Sequence, residues 1–263
     1  MPHYKAVLAA LHDLHKPGNY LDIGVHTGES LRLANRRTLC VGVDPCPEVG
    51  PELERHSRIE RTTSDEFFAS GRADELFPSG IEMAFIDGMH LFEYALRDFI
   101  NVEQRSRDRT LVVIHDLIPQ DERSAARHRE DEAATWMGDV WKLLLVLRDH
   151  RPDLQIDLVD TPPSGLGLVR GLKASNHVLE QKYEDLLSEY GKLTFDDWGE
   201  VQHEVLSDLL RSPESLRLHR RLKSRAFLGV WRRRALHPRR SFRRFLSRKH
   251  LYCGASSAPA DKA

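Results

Sequence analysis

The sequence predicts an α/β fold: a doubly wound, mostly parallel sheet with helices on both faces, followed by a helical extension. Three observations predict it. Short apolar runs of strand length recur near 19–24, 39–44, 57–61, 81–87, 109–115, 154–160 and 165–170. Helix-like stretches near 28–36, 64–70, 90–106 and 138–150 alternate with them, and that alternation builds parallel strands covered on both sides. After Gly171 the composition turns helical and strongly charged.

Taken in order, residues 3–15 place Tyr4, Val7, Leu8, Leu11 and Leu14 on one stripe at steps of three and four, the spacing of a helix lying on a sheet. The run Tyr20-Leu-Asp-Ile-Gly-Val-His-Thr-Gly-Glu-Ser30 reads as strand, glycine turn and helix start. Leu21 and Ile23 belong in the core. Gly24 and Gly28 lack the Cβ that would keep a ligand off the backbone, and the turn is expected to open onto a helix N-terminus with unpaired N–H groups. Val41-Gly-Val-Asp-Pro45 ends the second strand in Asp44, placed to accept both hydroxyls of a ribose or to cap the following turn. Ser64 or Asp65, before Glu66-Phe-Phe, reads as a helix N-cap with a first-turn acid or as a ligand contact.

Asp87, His90, His115 and Asp116 fall at the carboxyl ends of the fourth and fifth strands, where ligands of open α/β sheets gather. Beyond Gly171, 173–210 reads as helical and acidic, and 211–250 as helical and basic with breaks at Pro213 and Pro238. The expected organisation is a sheet domain over 1–172, a helical extension over 173–250 and a flexible tail over 251–263.

The net charge of −1 conceals a division: residues 211–250 hold fifteen Lys and Arg against Glu214 alone, about +14, which leaves about −15 on the rest. The basic residues are interleaved with Leu222, Phe227, Leu228, Val230, Trp231, Phe242 and Phe245, as in basic amphipathic helices. Such a segment can dock on the acidic remainder of its own chain or of a partner subunit in a homo-oligomer. It can also attach peripherally to an anionic membrane, or follow a phosphate backbone. No nucleic-acid module accompanies the charge, so nucleic acid ranks last, and docking on acidic protein is the expected role. Cys40, Cys46 and Cys253 form no metal-type cluster and suit a reducing cytosol. No apolar stretch approaches the ~20 residues that span a bilayer, and His3, Lys5, His12 and Asp13 replace a signal peptide's apolar core, so a cytoplasmic location is expected.

The glycine turn lacks both the Gly-x-Gly-x-x-Gly of a dinucleotide site and the Gly-Lys-Ser/Thr of a phosphate loop. Asp22 would repel a phosphate but could accept hydrogen bonds from an ammonium group. With Asp44 for a ribose, the site calls for a nucleoside joined to an amino acid. On these residues the chain resembles the class I S-adenosylmethionine-dependent methyltransferases over about 17–170. Leu21-Asp-Ile-Gly-Val-His-Thr-Gly28 is similar to their first motif, Gly42-Val-Asp44 to the ribose-binding second, and Thr63-Ser-Asp65 to a segment that commonly contacts adenine. Phe85-Ile-Asp-Gly-Met-His90 is similar to the fourth motif and Val113-Ile-His-Asp116 to the end of the fifth strand. The Phe-Ile-Asp-Gly-x-His run, with Tyr94 and Asp98 on the next helix, resembles a branch of small O-methyltransferases acting on sugar or natural-product hydroxyls. Trp136-x-Gly-Asp-Val-Trp141 resembles a feature of that branch.

The resemblance implies a Rossmann-like seven-stranded sheet with an antiparallel last strand. Thr161-Pro-Pro-Ser-Gly165, too short for a helical crossover, agrees with it. It also implies cofactor contacts from Asp22, Gly24, Thr27, Gly28, Asp44, Asp65 and Asp87, and a divalent cation on Asp87 and Asp116. His115 stands where such enzymes often carry another acid, which weakens magnesium and favours a more nitrogen-tolerant ion such as manganese.

Methyl transfer to an alcohol needs alignment and removal of a proton, by a general base or by a cation that acidifies the hydroxyl. His90 is the candidate base, with Asp87 and His115 beside it. The expected function is O-methylation of a small hydroxylated acceptor. The alternatives are an NAD or nucleotide-sugar Rossmann enzyme, disfavoured by the glycine spacing, and a non-catalytic methyltransferase-like partner protein.

Overall fold

In the computed structural model, which describes residues 3–129, 135–211 and 220–224, the apolar runs form one seven-stranded sheet. Helix α1 (Tyr4–His15) precedes β1 (Asn19–Ile23), and a 3₁₀ turn (Leu31–Leu33) leads to β2 (Leu39–Val43). Then come α2 (Pro51–Glu54), β3 (Ser57–Glu60), α3 (Ser64–Ala69), α4 (Arg72–Leu76), β4 (Ile81–Ile86), α5 (Phe92–Gln104) and β5 (Ser106–His115). The chain continues with α6 (Trp141–His150), β6 (Gln155–Val159), β7 (Leu166–Arg170), α7 (Val178–Gln181), α8 (Tyr183–Tyr190) and α9 (Phe195–Arg211).

The strand order is β3-β2-β1-β4-β5-β7-β6, with β7 antiparallel to both β5 and β6. Six residues, 160–165, connect β6 and β7, with Gly165 N donating to Thr161 O at 2.8 Å. A link that short cannot cross over the sheet, so β7 returns antiparallel.

One face of the sheet packs under α3, α5, α6, α8 and α9, burying Phe67, Phe92, Phe99, Trp141, Leu186 and Trp198. The indoles of Trp141 and Trp198 lie 5.5 Å apart, which ties α9 to α6. Helix α1 covers the other face through Val7, Leu8 and Leu11, over Tyr20, Phe85 and Val113. Among the described residues no helix is long and apolar enough to cross a membrane.

The helix expected over 28–36 is replaced by the 3₁₀ turn Leu31–Leu33. Local polar groups compete with helix formation there. Ser30 Oγ donates to Asp22 Oδ2 at 2.5 Å, Arg32 Nη1 turns back to Thr27 O at 2.7 Å, and Asn35 Nδ2 donates to His12 O at 3.0 Å. The helix expected to begin at 138 starts at Trp141 because Gly138, at φ +59°, still belongs to the preceding turn. Most of the basic segment 211–250 lies outside the described residues, as do 251–263.

Asp139 pins the start of α5. Its buried carboxylate accepts from Phe92 N at 2.8 Å, from Arg127 Nη1 at 2.5 Å and from Lys142 Nζ at 3.0 Å. The Lys142 side chain is 3% exposed, so Asp139→Ala leaves an ammonium buried without its counter-charge. That variant is expected to lose ~3–5 kcal/mol, read as a lower urea midpoint.

Candidate active site

The carboxyl ends of β1, β2, β4 and β5 converge on one edge. Gly24, at φ +91°, follows β1, and a Cβ there would come within 1.9 Å of Asp87 O. The backbones of the two turns therefore touch, and only glycine permits it. Asp22, two residues earlier, is fully buried. Its Oδ2 accepts from Ser30, while Oδ1 meets no donor within bonding distance among the described residues. Burial, followed by the neighbouring Asp87 and Asp44, holds its pKa well above the usual carboxylate range despite the Ser30 bond. A buried acceptor without a donor fits an ammonium group, direct or through water, and so fits the amino-acid end of S-adenosylmethionine.

Asp44 lies at the end of β2, half-buried. Oδ2 accepts from His26 N and Oδ1 from Cys46 N, both at 2.8 Å. These bonds fix the carboxylate's plane, and each oxygen retains capacity for a further donor. His26 adopts φ +46° to present its N–H. Thr27 is half-buried beside it. Gly28 serves a purpose other than the expected one. It is buried, and a Cβ would meet Leu53 Cδ2 at 2.2 Å, so its missing side chain makes room for the loop after β2 rather than for a ligand.

At α3 the cap is Thr63, whose hydroxyl accepts from Glu66 N while Glu66 reaches back to Thr63 N, a capping box. Asp65 is held bidentately by Arg97, at 2.8 and 2.7 Å, and Arg97 also donates to Tyr183 OH at 2.7 Å. Both carboxylate oxygens of Asp65 are thus engaged within the protein.

The polar centre is made by Asp87, His90, His115 and Asp116, which the fold brings together. His115 Nδ1 lies 3.1 Å from both Asp87 Oδ1 and Asp116 Oδ1. His90 Nε2 is 3.5 Å from Asp87 Oδ1, and its Nδ1 is 3.3 Å from Asp116 Oδ2. Asp116 reaches the cluster because it sits at φ +61°, turning the chain sharply at the end of β5. Burial opposes the charged form of both histidines, but Asp116 and Asp87 outweigh it. His90 is raised to about 9 and His115 to about 10. Asp87 is lowered: burial pushes it up, and the paired His115 and His90 more than reverse this.

Asp87, His90 and Asp116 each present one ligand atom, all within 4.8 Å of one another. That set of two carboxylates and an imidazole suits a first-row divalent cation such as manganese better than magnesium, which prefers oxygen alone. The nitrogen in the set is His90. His115 is buried behind the acids, with Nε2 3.3 Å from Ser164 Oγ and the Tyr4 ring 4.3 Å away. Both its nitrogens face protein groups, so its geometry is that of a group orienting Asp87 and Asp116.

Sequence reasoning missed the groups that hold this centre. His90 Nδ1 lies 2.9 Å from Trp136 O, its ring stacks on the Trp136 indole at 5.1 Å, and a Cβ at Gly138 would sit 1.6 Å from His90 O. This gives the Trp136–Trp141 run its role. Ser164 was visible only as part of a turn, and Tyr4 only as part of an apolar stripe. Asp98 is buried on α5, with Oδ2 3.7 Å from where a Gly88 Cβ would stand, and burial raises its pKa to about 7.

Residues 21–117 match a family described as a methyltransferase domain. No curated protein matches the chain in sequence. Among solved structures, the cofactor-bound Rv0187 from MTB is 16% identical at a TM-score of 0.50, over 65% of this chain and 80% of that one. TomG, an O-methyltransferase from Streptomyces achromogenes involved in tomaymycin synthesis and solved with SAM, is 15% identical at a TM-score of 0.45, over 64% and 79%. The family match runs from β1 through the end of β5, the same stretch that supplies Asp22, Gly24, Asp44, Asp87 and Asp116. Residues 21–117 are thus similar to a methyltransferase domain, and the likeness to the cofactor-bound Rv0187 is one of fold.

Proposed function

We propose that this domain transfers a methyl group to a hydroxyl oxygen of a small acceptor, a sugar moiety or a natural product. The observation that carries this reading is the Asp87–His90–Asp116 cluster beside the Gly24 turn, because a hydroxyl acceptor is the case in which proton removal must be assisted.

S-Adenosylmethionine, when bound, supplies an electrophilic methyl on a sulfonium. The residues proposed to hold it are Asp22 at the ammonium, Gly24 and Thr27 along the turn, Asp44 at the ribose, and Asp87 at the strand edge; Gly28 shapes the turn by making room for Leu53. Asp65 belongs to this set through the family resemblance alone; its bidentate pairing with Arg97 favours a structural role.

A divalent cation would be held by Asp87, His90 and Asp116 and would acidify a hydroxyl bound to it. In the cation-free cluster Asp116 and Asp87 raise His90 to about 9, so at neutral pH little of it is free to accept a proton. That favours metal-assisted deprotonation over a free imidazole base. His115 holds the two carboxylates in place from behind. Met89, 45% exposed between Gly88 and His90, offers an apolar contact at the mouth of the site.

Isothermal titration of the full chain with S-adenosylmethionine and S-adenosylhomocysteine tests the cofactor. Asp44→Ala is expected to weaken binding by ~1.5–3 kcal/mol while leaving the unfolding midpoint nearly unchanged. Tight NAD binding with no response to either sulfur ligand would overturn the reading. Mass spectrometry of hydroxylated sugars and natural products incubated with labelled cofactor tests the acceptor class, and label appearing only on nitrogen or carbon would refute O-methylation.

A further inference from the structure

S-Adenosylmethionine carries a carboxylate on the same carbon as the ammonium assigned to Asp22, and the groups placed so far around that end are acids. Asp22, Asp44, Asp87 and Asp116 lie at the carboxyl edge of the sheet, and Glu29 follows the glycine turn. A carboxylate arriving among them is repelled unless a cation or a polar hydrogen meets it. Ser30 spends its hydroxyl on Asp22 Oδ2. Arg32 is committed on the side of β2, to Thr27 O at 2.7 Å and to Glu52 at 3.6 Å.

The first turn of α1 brings both kinds of group. Tyr4 N donates to Pro162 O at 3.1 Å, two residues before the Ser164 that meets His115, and Lys5 pairs with Glu29 beside the glycine turn. The Tyr4 ring lies 4.3 Å from His115 and 6.3 Å from Phe85. Burial first, and then the charges of Asp87, Glu29, Asp116 and Asp22, raise its phenol above the ordinary range, so it keeps its proton and remains a donor. Those carboxylates act on it through charge and not through a hydrogen bond, which sets the phenol in the field of Asp22 and Asp87 together. Lys5 is half-buried, its ammonium 5.7 Å from the centre of the Tyr4 ring. An ammonium has three donors, and one partner does not exhaust them. The backbone of the turn is already engaged, Lys5 N with His3 Nδ1 and both Ala6 N and Val7 N with His3 O, so side chains are what it offers a ligand. The fully buried Asp22, with Oδ1 unpartnered among the described residues, marks where the neighbouring ammonium belongs.

We propose that Lys5 and Tyr4 receive the carboxylate of S-adenosylmethionine, Lys5 by its charge and Tyr4 by its hydroxyl, an inference that rests on the cofactor reading above. Asp22 and this pair then hold the two opposite charges of one amino-acid group, which fixes its orientation as well as its position. Helix α1 thereby becomes part of the cofactor site in addition to covering the sheet.

Isothermal titration of the full chain with S-adenosylmethionine and with decarboxylated S-adenosylmethionine, which keeps the ammonium and lacks the carboxylate, tests this. The parent is expected to bind S-adenosylmethionine about 10- to 100-fold more tightly than the decarboxylated ligand. Lys5→Met, which keeps the apolar stem, should weaken S-adenosylmethionine about 10-fold and Tyr4→Phe about fivefold, with the decarboxylated ligand changed less than about twofold in each. Lys5→Arg keeps the charge and should restore the preference. Glu29→Gln breaks the ion pair but leaves the ammonium, so S-adenosylmethionine affinity should be kept or rise. Unfolding midpoints of all four variants should stay near the parent's, since an exposed ion pair adds little to stability. Equal affinity of the parent for the two ligands, equal loss of both ligands in Lys5→Met and Tyr4→Phe, or a loss in Glu29→Gln matching that in Lys5→Met would each overturn the proposal and leave the cofactor reading standing. A parent chain that binds neither ligand would overturn the cofactor reading and this proposal with it.

Discussion

Gly24→Ala is expected to abolish cofactor binding and to cost roughly 2–6 kcal/mol of stability, the sum of backbone strain and overpacking. Two independent effects add at this position. The backbone sits at φ +91°, a conformation in which an L side chain is strained. The new methyl would also lie 1.9 Å from Asp87 O and 2.5 Å from its carbonyl carbon. Those are backbone atoms, so no side-chain rotation relieves the clash; β1 and β4 must separate at their carboxyl ends. Separation breaks the Asp87 N to Ile23 O bond, 2.9 Å long, and displaces the carboxylate that pairs with His115 and His90. Urea unfolding and calorimetry on the same preparation check both parts. An alanine variant that binds S-adenosylmethionine normally would show that the turn is not part of the cofactor site. Gly71→Ala is the control, since its φ of +76° is similar but nothing lies within 4 Å of its Cβ position, so only the strain should remain.

The sheet was legible because its signal is local. An apolar run of strand length announces itself in consecutive residues, and β1 to β7 fall within a few residues of their expected places. Asp44 and Asp87 were legible for the same reason, each standing at the end of such a run. The helix expected over 28–36 failed because its polar residues satisfy distant groups, Asn35 bonding His12 O and Ser30 bonding Asp22. Gly28 shows a related limit: positive φ was foreseeable, but the occupant of the vacated space, Leu53, depends on how the loop after β2 packs. Around the candidate site, sequence order concealed the supports. Trp136 stands 46 positions from His90, and Ser164 stands 49 from His115. No local pattern signals such pairings. The left-handed turn at Asp116 was equally hidden, because it is rare for a residue other than glycine and follows here from tertiary contacts.

Removal of divalent cations is expected to abolish methyl transfer, and manganese should restore it more fully than magnesium. The reason lies in the protonation of the cluster. Without a cation, Asp87 and Asp116 hold His90 and His115 as imidazolium ions, with His90 raised to about 9 from an ordinary 6.5. A raised histidine pKa contributes stability that is complete below pH 6.5 and is lost as the pH climbs through 9. The cation-free chain should therefore lose stability over that window. A cation on Asp87, His90 and Asp116 must expel the His90 proton. Manganese binding should accordingly release protons at neutral pH, seen as a calorimetric heat that depends on the buffer's ionisation enthalpy. This readout does not require the acceptor to be known. His90→Gln removes the nitrogen ligand and should cut transfer by roughly 10²–10⁴-fold while weakening manganese binding. Asp87→Asn should do the same and also lower the pKa of His115, which loses one of its two carboxylate partners. The rival mechanism has a distinct signature: activity indifferent to chelation, lost in His90→Gln, and rising with pH toward about 9 as the imidazole gives up its proton. That combination would assign His90 as the general base and leave the two carboxylates the task of orienting it.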